Sequence, residues 1–168
     1  MEEACEIIQN TGLRGVTIAS TRISDVDGQK GKLVYRGYLA KDLAGKVSFE
    51  ETAFLLLYEK LPDESELSAF STQLAKHREL PKNIFAAMNA FPKDALPMDV
   101  LQAVVPMLAH HDPGVQVHSQ ENALAIAIRL IAKFPTIVAA WERIRNGKAP
   151  VDPDPTLGHA ANFLYMLN

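Results

Sequence analysis

One long apolar segment, residues 119–145, constrains this 168-residue chain more than any other. It reads SQENALAIAIRLIAKFPTIVAAWERIR, and its apolar residues occur on nearly every side of a helical wheel. Ser119 is a good N-cap and Asn146-Gly147 a good stop, so the segment predicts one helix of roughly 40 Å. A helix that is apolar all round must be covered on all sides. A chain of this size is too small to cover it alone, so we expect a larger core or another subunit to do so.

Composition restricts the class of protein. The chain is 48% hydrophobic and 22% charged with a net charge of −3, which is typical of a soluble domain and lacks the basic footprint of nucleic-acid binding. Cys5 is the single cysteine, which favours a reducing compartment. Arg129 and Lys133 interrupt the longest apolar run before it reaches the about 18 residues of a membrane span. The acidic N-terminus lacks the layout of a secretion signal. We therefore expect a cytoplasmic globular protein that binds neither nucleic acid nor a membrane.

Only the N-terminal region has a β pattern. Residues 1–14 predict a loose arm, and residues 15–38 predict a β-hairpin. Its strands are expected at residues 16–18 and 32–35, on either side of the polar, glycine-rich turn DVDGQKG. Glycines in that turn are expected to supply the positive φ angles that a hairpin needs. The residues that define the turn are Asp25, Asp27, Gly28 and Gly31.

Residues 39–168 are predicted to be helical. Ser48 with Glu51, and Asp63 with Glu66, match the capping-box pattern and start two helices. Further helices are expected to begin at residues 81 and 97, where proline occupies the first helical position. Prolines within predicted helices, at positions 106 and 135, predict kinks. The fold class is therefore all-α with a small N-terminal β-hairpin.

The last predicted helix follows Asp154-Pro155 and carries an apolar stripe up to the final residue, Asn168. No basic last turn follows the stripe, so we expect that a larger fold continues beyond it. The stripe consists of Ala160, Phe163, Leu164 and Leu167.

The five histidines are the first candidates for chemistry. His110 and His111 are adjacent, so on a helix they point about 100° apart and are poorly placed to share a metal ion. His77 and His118 are expected to be solvated near a helix end and in a loop. His159 lies one residue off the apolar stripe, without a carboxylate at helical spacing. That position favours a buried, hydrogen-bonded histidine over a catalytic one.

Other motifs favour structural roles as well. Asp25 and Asp27 resemble a fragment of a calcium loop, but the later ligands are missing, so turn chemistry is favoured. DGQKG lacks the spacing of a phosphate loop. Cys5 has no histidine near it in sequence. An active site cannot be assembled from these residue types.

Five runs of sequence nevertheless occur together in a specific order. They are GLRGVTIASTRISDVDGQKGKLVYRGY, SFEETAFLLLYEKLP, FPKDALPMDVLQAVV, LIAKFPTIVAAW and LGHAANFLYML. Over residues 12–168 they resemble the N-terminal part of citrate synthases of the short prokaryotic type.

The resemblance implies a helical, two-domain dimeric enzyme that condenses acetyl-CoA with oxaloacetate to citrate and CoA. In that family an aspartate removes a proton from the acetyl methyl group and a histidine stabilises the enol, while a second histidine and arginines hold oxaloacetate. All of these residues lie beyond the segment that resembles LGHAANFLYML. The resemblance therefore assigns no catalytic, substrate-binding, cofactor or metal-binding residue to this chain, and it implies no cofactor apart from acetyl-CoA as the substrate of the complete enzyme.

The resemblance does imply an interface. In such synthases the helices that match residues 97–109 and 119–145 form much of the dimer contact. The partner would be a second copy or a complementary C-terminal synthase polypeptide, and aspartate at position 128 or 131 is expected to break the assembly. The residues expected at the interface are Met98, Leu101, Val105, Leu124, Ile128, Ile131, Ile137 and Trp141.

Two alternatives remain open. The chain could be a non-catalytic, truncated homologue that acts as an assembly or regulatory module. It could also belong to a 2-methylcitrate synthase that uses propionyl-CoA, or to a citryl-CoA lyase. The sequence does not separate these substrates, because the acyl pocket of the family lies outside the matching part.

Overall fold

The computed structural model describes residues 16, 17 and 19–168. In this part of the chain a three-stranded antiparallel sheet precedes seven α-helices and a 3-10 helix, which confirms the predicted fold class. The strands are β1 (Ser24–Asp27), β2 (Lys32–Tyr35) and β3 (Tyr38–Leu39). The helices are α1 (Ala40–Leu43), α2 (Phe49–Tyr58), α3 (Glu64–Lys76), α4 (Lys82–Ala90), α5 (Pro97–Met107), the 3-10 helix Leu108–His111, α6 (Gln120–Arg145) and α7 (His159–Leu167). The predicted arm and Cys5 lie outside the described residues.

The first strand of the hairpin is not where the sequence predicted it. β2 pairs with residues 24–27, so that Asp27 faces Lys32, whereas Val16 and Thr17 lie outside the strands. The Asp27 carboxylate accepts hydrogen bonds from the backbone N–H groups of Gln29 and Lys30, at 3.1 and 3.0 Å. This confirms the turn role of Asp27. Because the turn is short, the residues that immediately precede it pair with β2, although residues 16–18 are more apolar.

A third strand, absent from the sequence prediction, continues the sheet. Arg36 and Gly37 join β2 to β3, and both have positive φ angles, of 46° and 92°. Two consecutive positive φ angles are the signature of a type I′ hairpin turn. The Arg36 guanidinium also donates to the carbonyl oxygen of Leu56, at 2.8 and 3.1 Å, and to Glu59. The sheet is thereby fixed to the C-terminal end of α2.

The predicted helix starts are confirmed where a side chain caps the helix. Ser48 with Glu51, and Asp63 with Glu66, form complete capping boxes at α2 and α3. The Ser119 hydroxyl accepts from the N–H of Asn122 at the start of α6. These starts depend on contacts within a few residues, which explains why sequence patterns locate them.

α6 is the central element, and its two halves complete two different hydrophobic clusters. Its N-terminal half packs on α2 and α3 in a cluster that we call the α2–α3 cluster. Its C-terminal half packs on α4, α5 and the 3-10 helix in the α4–α5 cluster. The buried members of the first are Ala53, Phe54, Phe70, Leu74, Ile128 and Ala132. The buried members of the second are Ile84, Met88, Val100, Val104, Leu108, Ile137, Ala140, Trp141 and Ile144.

Prolines affect the two long helices differently. α6 continues as one α-helix through Pro135, close to the point where it passes from one cluster to the other. α5 ends at Met107, one residue after Pro106, and the chain continues as the 3-10 helix. Proline removes a backbone donor from the helical ladder, so a change of helix type after Pro106 is the expected response.

A buried polar network attaches the α3–α4 connection to α6 and to the segment before α7. The Thr136 hydroxyl donates to the carbonyl oxygen of Arg78 at 2.8 Å, and Lys133 Nζ donates to the carbonyl oxygens of His77 and Glu79. Arg78, only 2% exposed, donates from Nη1 to two carbonyl oxygens in the segment before α7. Three segments, namely the α3–α4 connection, α6 and the segment before α7, are therefore connected by largely buried hydrogen bonds.

Candidate subunit interface

The structure divides the eight predicted interface residues into three groups. Met98 is the most accessible, at 60% exposed. Four are half-buried, each against one of the two clusters: Leu101, Val105, Leu124 and Ile131. Three are buried within this chain: Ile128, Ile137 and Trp141.

Because its own chain already covers Ile128, an aspartate there would disrupt the fold whether or not a partner binds. The predicted test at position 128 therefore does not isolate an interface.

An apolar groove between α6 and α7 is a more accessible surface. This α6–α7 groove encloses about 550 Å³. Phe134 and Val138 on α6 are 37% and 42% exposed, and Ile131 is half-buried beside them. The groove is lined by Phe49, Leu130, Ile131, Phe134, Pro135, Val138, His159, Ala160 and Phe163.

Half of the apolar stripe of α7 is accessible, whereas Phe163 and Leu167 are half-buried. Ala160 is exposed, and Leu164 is 58% exposed. The buried side of α7 is formed instead by His159, Asn162 and Met166. A polar contact holds this side of α7 toward the core, because the Asn162 side-chain oxygen accepts from the backbone N–H of Asp154 at 2.8 Å.

α6 also satisfies a composition test for a membrane span. Its most apolar 18-residue window has a mean hydropathy of 1.8, and 33% of that window is buried. The window passes by length and composition although Arg129 and Lys133 interrupt the apolar run. Arg129 donates to Asp112, and Lys133 donates to backbone carbonyl oxygens of the same chain. Both charges are therefore bonded within the chain, which is the pattern of a core helix that is incompletely covered.

His159 is buried beside the groove, as predicted, but its ring is not hydrogen-bonded through Nδ1. That atom is buried without a partner among the described residues. The ring stacks on Phe49 with centroids 4.3 Å apart, while the backbone N–H of His159 donates to Glu50 at 2.7 Å. Burial, with a contribution from Arg78, lowers the pKa of His159, and Glu50 opposes that shift. The Glu50 carboxylate therefore caps α7 through the backbone of His159 and is not bonded to the imidazole.

The remaining histidines do not form a metal site. His111 Nε2 lies 3.0 Å from the amide nitrogen of Asn83, and His110 and His118 are exposed. Over residues 16, 17 and 19–168, there is no group of three or more histidine, cysteine or acidic side chains that could hold a metal ion.

His77 differs from its predicted solvated state. It is half-buried at the wall of a second cavity, of about 680 Å³, which also contains Arg129, Lys133 and Asp112. Burial is the largest cause that lowers the pKa of His77, followed by the charges of Lys133 and Arg129. One sequence signal points to this cavity: two cations, Arg129 and Lys133, lie four residues apart within an apolar helix.

Comparisons with known proteins show which family the chain resembles. Residues 12–168 match the family model described as citrate synthase, C-terminal domain. A citrate synthase from Acidithiobacillus ferridurans is 44% identical over 162 residues, which covers 94% of this chain and 42% of the relative. A 2-methylcitrate synthase from Mycobacterium tuberculosis is 39% identical over 155 residues, which covers 92% of this chain and 39% of the relative.

A solved structure gives the same result. The crystal structure of citrate synthase from Pyrobaculum aerophilum matches with a TM-score of 0.84 at 40% sequence identity, covering 92% of this chain and 41% of that chain. The present chain thus spans about two fifths of the length of the curated relatives that it matches.

Proposed function

Because the chain belongs to the citrate synthase family, we propose that it forms part of an acyltransferase that condenses acetyl-CoA with oxaloacetate to give citrate and CoA. The observation that carries this proposal is the extent of the match, which runs at 44% identity over 94% of the chain. The proposed location is the cytoplasm, in a soluble assembly.

The proposed role of these residues is to supply scaffold and subunit surface. The proposed catalytic histidines and aspartate lie outside residues 1–168, in the larger part of the relatives that this chain does not match. Two features of the described residues support this division. His159 is buried in a stacking contact, and its neighbour Glu50 is engaged by the backbone. The second cavity contains a single carboxylate, from Asp112, already paired with Arg129.

The proposed subunit surface consists of the accessible apolar residues of α5, α6 and α7, for which the partner would be a second copy or a complementary synthase polypeptide. Val138 and Phe134 line the α6–α7 groove, and Met98 is exposed at the start of α5. The most apolar 18-residue window of α6, of which only 33% is buried, supports the proposal that further protein covers it.

The test is purification of the tagged chain from its native cytosol, with co-purifying polypeptides identified by mass spectrometry. We expect a stoichiometric synthase polypeptide that carries the missing acid–base groups, or one longer polypeptide that contains these residues. The purified assembly should release CoA thiol when it receives acetyl-CoA and oxaloacetate. Recovery of this chain alone, as an oligomer without thiol release, would contradict the acyltransferase proposal and favour a non-catalytic assembly or regulatory module.

A second candidate is a 2-methylcitrate synthase, favoured by the match of 39% identity to such an enzyme. The purified assembly should be supplied with acetyl-CoA and propionyl-CoA separately, each with oxaloacetate. A higher kcat/KM for propionyl-CoA would favour this candidate over a citrate synthase. Cleavage of citryl-CoA without condensation activity would instead identify a lyase.

A further inference from the structure

A small cleft lies at the end of the β2–β3 pair where the chain passes from the sheet into α1. It encloses about 330 Å³, which is at the lower end of the range of small-molecule sites. We call it the sheet–α1 cleft, and it is lined by Lys30, Gly31, Lys32, Leu33, Leu39 and Lys41. The two leucines are half-buried and form an apolar wall. The cleft therefore combines a limited volume with three lysines.

The register of the sheet brings these lysines to one place. β2 pairs antiparallel with β3 through Val34 and Leu39. Lys32 and Lys41 each lie two residues further toward the same end of this pair. Lys30 lies in the turn that precedes β2. Because neighbouring like charges on a sheet are destabilising, this arrangement favours an anionic occupant.

The Asp27 carboxylate, which lies next to Lys30, is engaged by its own turn. One oxygen accepts from the backbone N–H groups of Gln29 and Lys30, and the other lies 3.2 Å from Lys30 Nζ. These bonds, led by that from the Lys30 backbone, hold the pKa of Asp27 below its usual value, so Asp27 stays charged and offsets Lys30. Within the described part of the chain, neither Lys32 nor Lys41 forms an ion pair with a carboxylate. Two positive charges of the cleft thus remain to be offset.

The charge of this region opposes that of the whole chain. Residues 28–47 contain five basic side chains and one acidic side chain, whereas the chain has a net charge of −3. Arg36, one of the five, pairs with Glu59 and is not part of the cleft. Coulomb attraction grows with the charge of the ligand, so a local basic region of this kind favours multivalent anions over monovalent ones.

We propose that the sheet–α1 cleft binds a diphosphate group, supplied by free pyrophosphate or by a nucleotide. Two linked phosphates present enough oxygens to accept from several ammonium groups at once, and each such bond is charge-assisted. The wall of Leu33 and Leu39 lowers the local dielectric constant and strengthens these bonds. The cleft shares no residue with the α6–α7 groove or the second cavity, so the inference does not depend on the proposed acyltransferase function.

The experiment titrates the full 168-residue chain with pyrophosphate. Calorimetry measures the affinity, and amide signals in a ¹H–¹⁵N NMR spectrum locate the site. Pyrophosphate should shift the signals of Gly31, Leu33 and Lys41. It should bind about tenfold more tightly than inorganic phosphate, because it carries more charge and more acceptor oxygens. Added potassium chloride should weaken the binding, since the lysines are exposed.

Two further probes, ADP and adenosine, separate the two sources of the diphosphate. Tighter binding of ADP than of pyrophosphate would identify a nucleotide as the ligand, since the nucleoside would then add contacts. Weaker binding of ADP would identify free pyrophosphate. Adenosine should not bind, and an affinity for adenosine equal to that for ADP would overturn the inference, because the diphosphate would then contribute nothing.

Substitutions of single lysines make the test specific. Lys32→Gln and Lys41→Gln should each weaken pyrophosphate binding by about fivefold, because each removes one exposed charge from the cleft. Lys32→Arg retains the charge and should keep most of the affinity. The matched control is Lys46→Gln, which removes the same charge from an exposed position outside the cleft and should change the affinity by less than about twofold. Circular dichroism checks that each variant is folded.

Two further results would overturn the inference. The first is an equal loss of affinity in Lys46→Gln and in the two cleft variants, which would reduce the binding to unspecific charge attraction. The second is pyrophosphate binding that leaves the amide signals of Gly31 and Leu33 unchanged, which would place the anion elsewhere. Absence of thiol release from the purified assembly would contradict the acyltransferase proposal alone.

Discussion

Thr136 lies fully buried in the middle of α6, and its hydroxyl donates to the carbonyl oxygen of Arg78 at 2.8 Å. Thr136→Val removes the hydroxyl while it retains the shape of the side chain. We expect the free energy of unfolding to fall by about 1–3 kcal/mol, because the buried carbonyl loses its donor. Urea unfolding followed by circular dichroism measures the change.

A matched control is Thr72→Val. Its hydroxyl also donates to a backbone carbonyl, that of Ser68 at 2.9 Å, but at an exposed position on α3. Water can replace that donor, so the change should stay within about 0.5 kcal/mol. Equal effects at positions 72 and 136 would show that the buried network does not contribute as described.

His159 links stability to pH. Burial, the largest cause, holds its pKa below the ordinary value of 6.5, so the folded state favours the neutral ring. Protonation therefore favours the unfolded state, and stability should fall as the pH drops through the unfolded value and level off below the folded pKa. His77 shifts in the same direction for the same main reason.

The variant His159→Phe separates the contribution of His159 to the pH dependence of stability from that of His77. The substitution keeps an aromatic ring against Phe49 but removes the titration. Between about pH 7 and pH 5, unfolding free energy should decline less in this variant than in the wild type. His118→Gln, at an exposed position, should retain the wild-type slope. Identical slopes in all three proteins would refute the account of His159.

At the scale of elements, α7 is capped by another helix. Its N-cap, Gly158, has no side chain to offer, and the Glu50 carboxylate of α2 accepts from the backbone N–H of His159 at 2.7 Å. Glu50→Ala should lower stability by about 1 kcal/mol and accelerate amide exchange at the start of α7.

Glu64→Ala provides the comparison for this cap. Glu64 also lies in the first turn of a helix, α3, but Asp63 supplies the cap there. The expected loss is therefore a few tenths of a kcal/mol, from the helix dipole alone. A change in α7 exchange that is equally large in Glu64→Ala would rule out a specific role of Glu50.

Element boundaries were predictable where their cause is local. The capping residues Ser48, Asp63 and Ser119 each act within three positions of the chain, and the starts of α2, α3 and α6 followed from them. The predicted last helix began too early because a residue of α2 determines its N-terminus. No pattern within residues 154–168 contains that information.

The position of the first strand of the hairpin also could not be predicted from local residue preferences. Val16 was favoured for its β propensity, whereas the paired strand is the polar segment SDVD, exposed over most of its length. A tight turn at Asp27 selects the residues that can pair, and propensity has little influence on an exposed strand. The cavity of Arg129 and Lys133 was missed for a related reason, since it forms only when α3 and the loop after α5 meet α6.

At the scale of the whole molecule, the interface can be tested on residues that the chain leaves exposed. Val138→Asp and Met98→Asp place a charge at accessible positions of α6 and α5, which are 42% and 60% exposed. Each variant should remain helical by circular dichroism but shift to smaller species in size-exclusion chromatography with light scattering, because a buried, unpaired charge opposes association.

Two further variants complete that comparison. Ala69→Asp, on an exposed position of α3, should leave the oligomeric state unchanged. Ile128→Asp should instead lose helical signal, since Ile128 is 6% exposed within the α2–α3 cluster. An unchanged oligomer in both Val138→Asp and Met98→Asp would place the interface elsewhere.

The central position of α6 also has a consequence for synthesis. Phe54 and Phe70 are translated long before Ile128, their partner in the same cluster, and Val100 likewise precedes Trp141. While the polypeptide emerges from a ribosome, α2, α3 and α5 therefore present apolar faces whose partners on α6 have not yet been synthesised. Both halves of the core become complete only when residues 120–145 have left the exit tunnel, so the nascent chain should engage chaperones until late in translation.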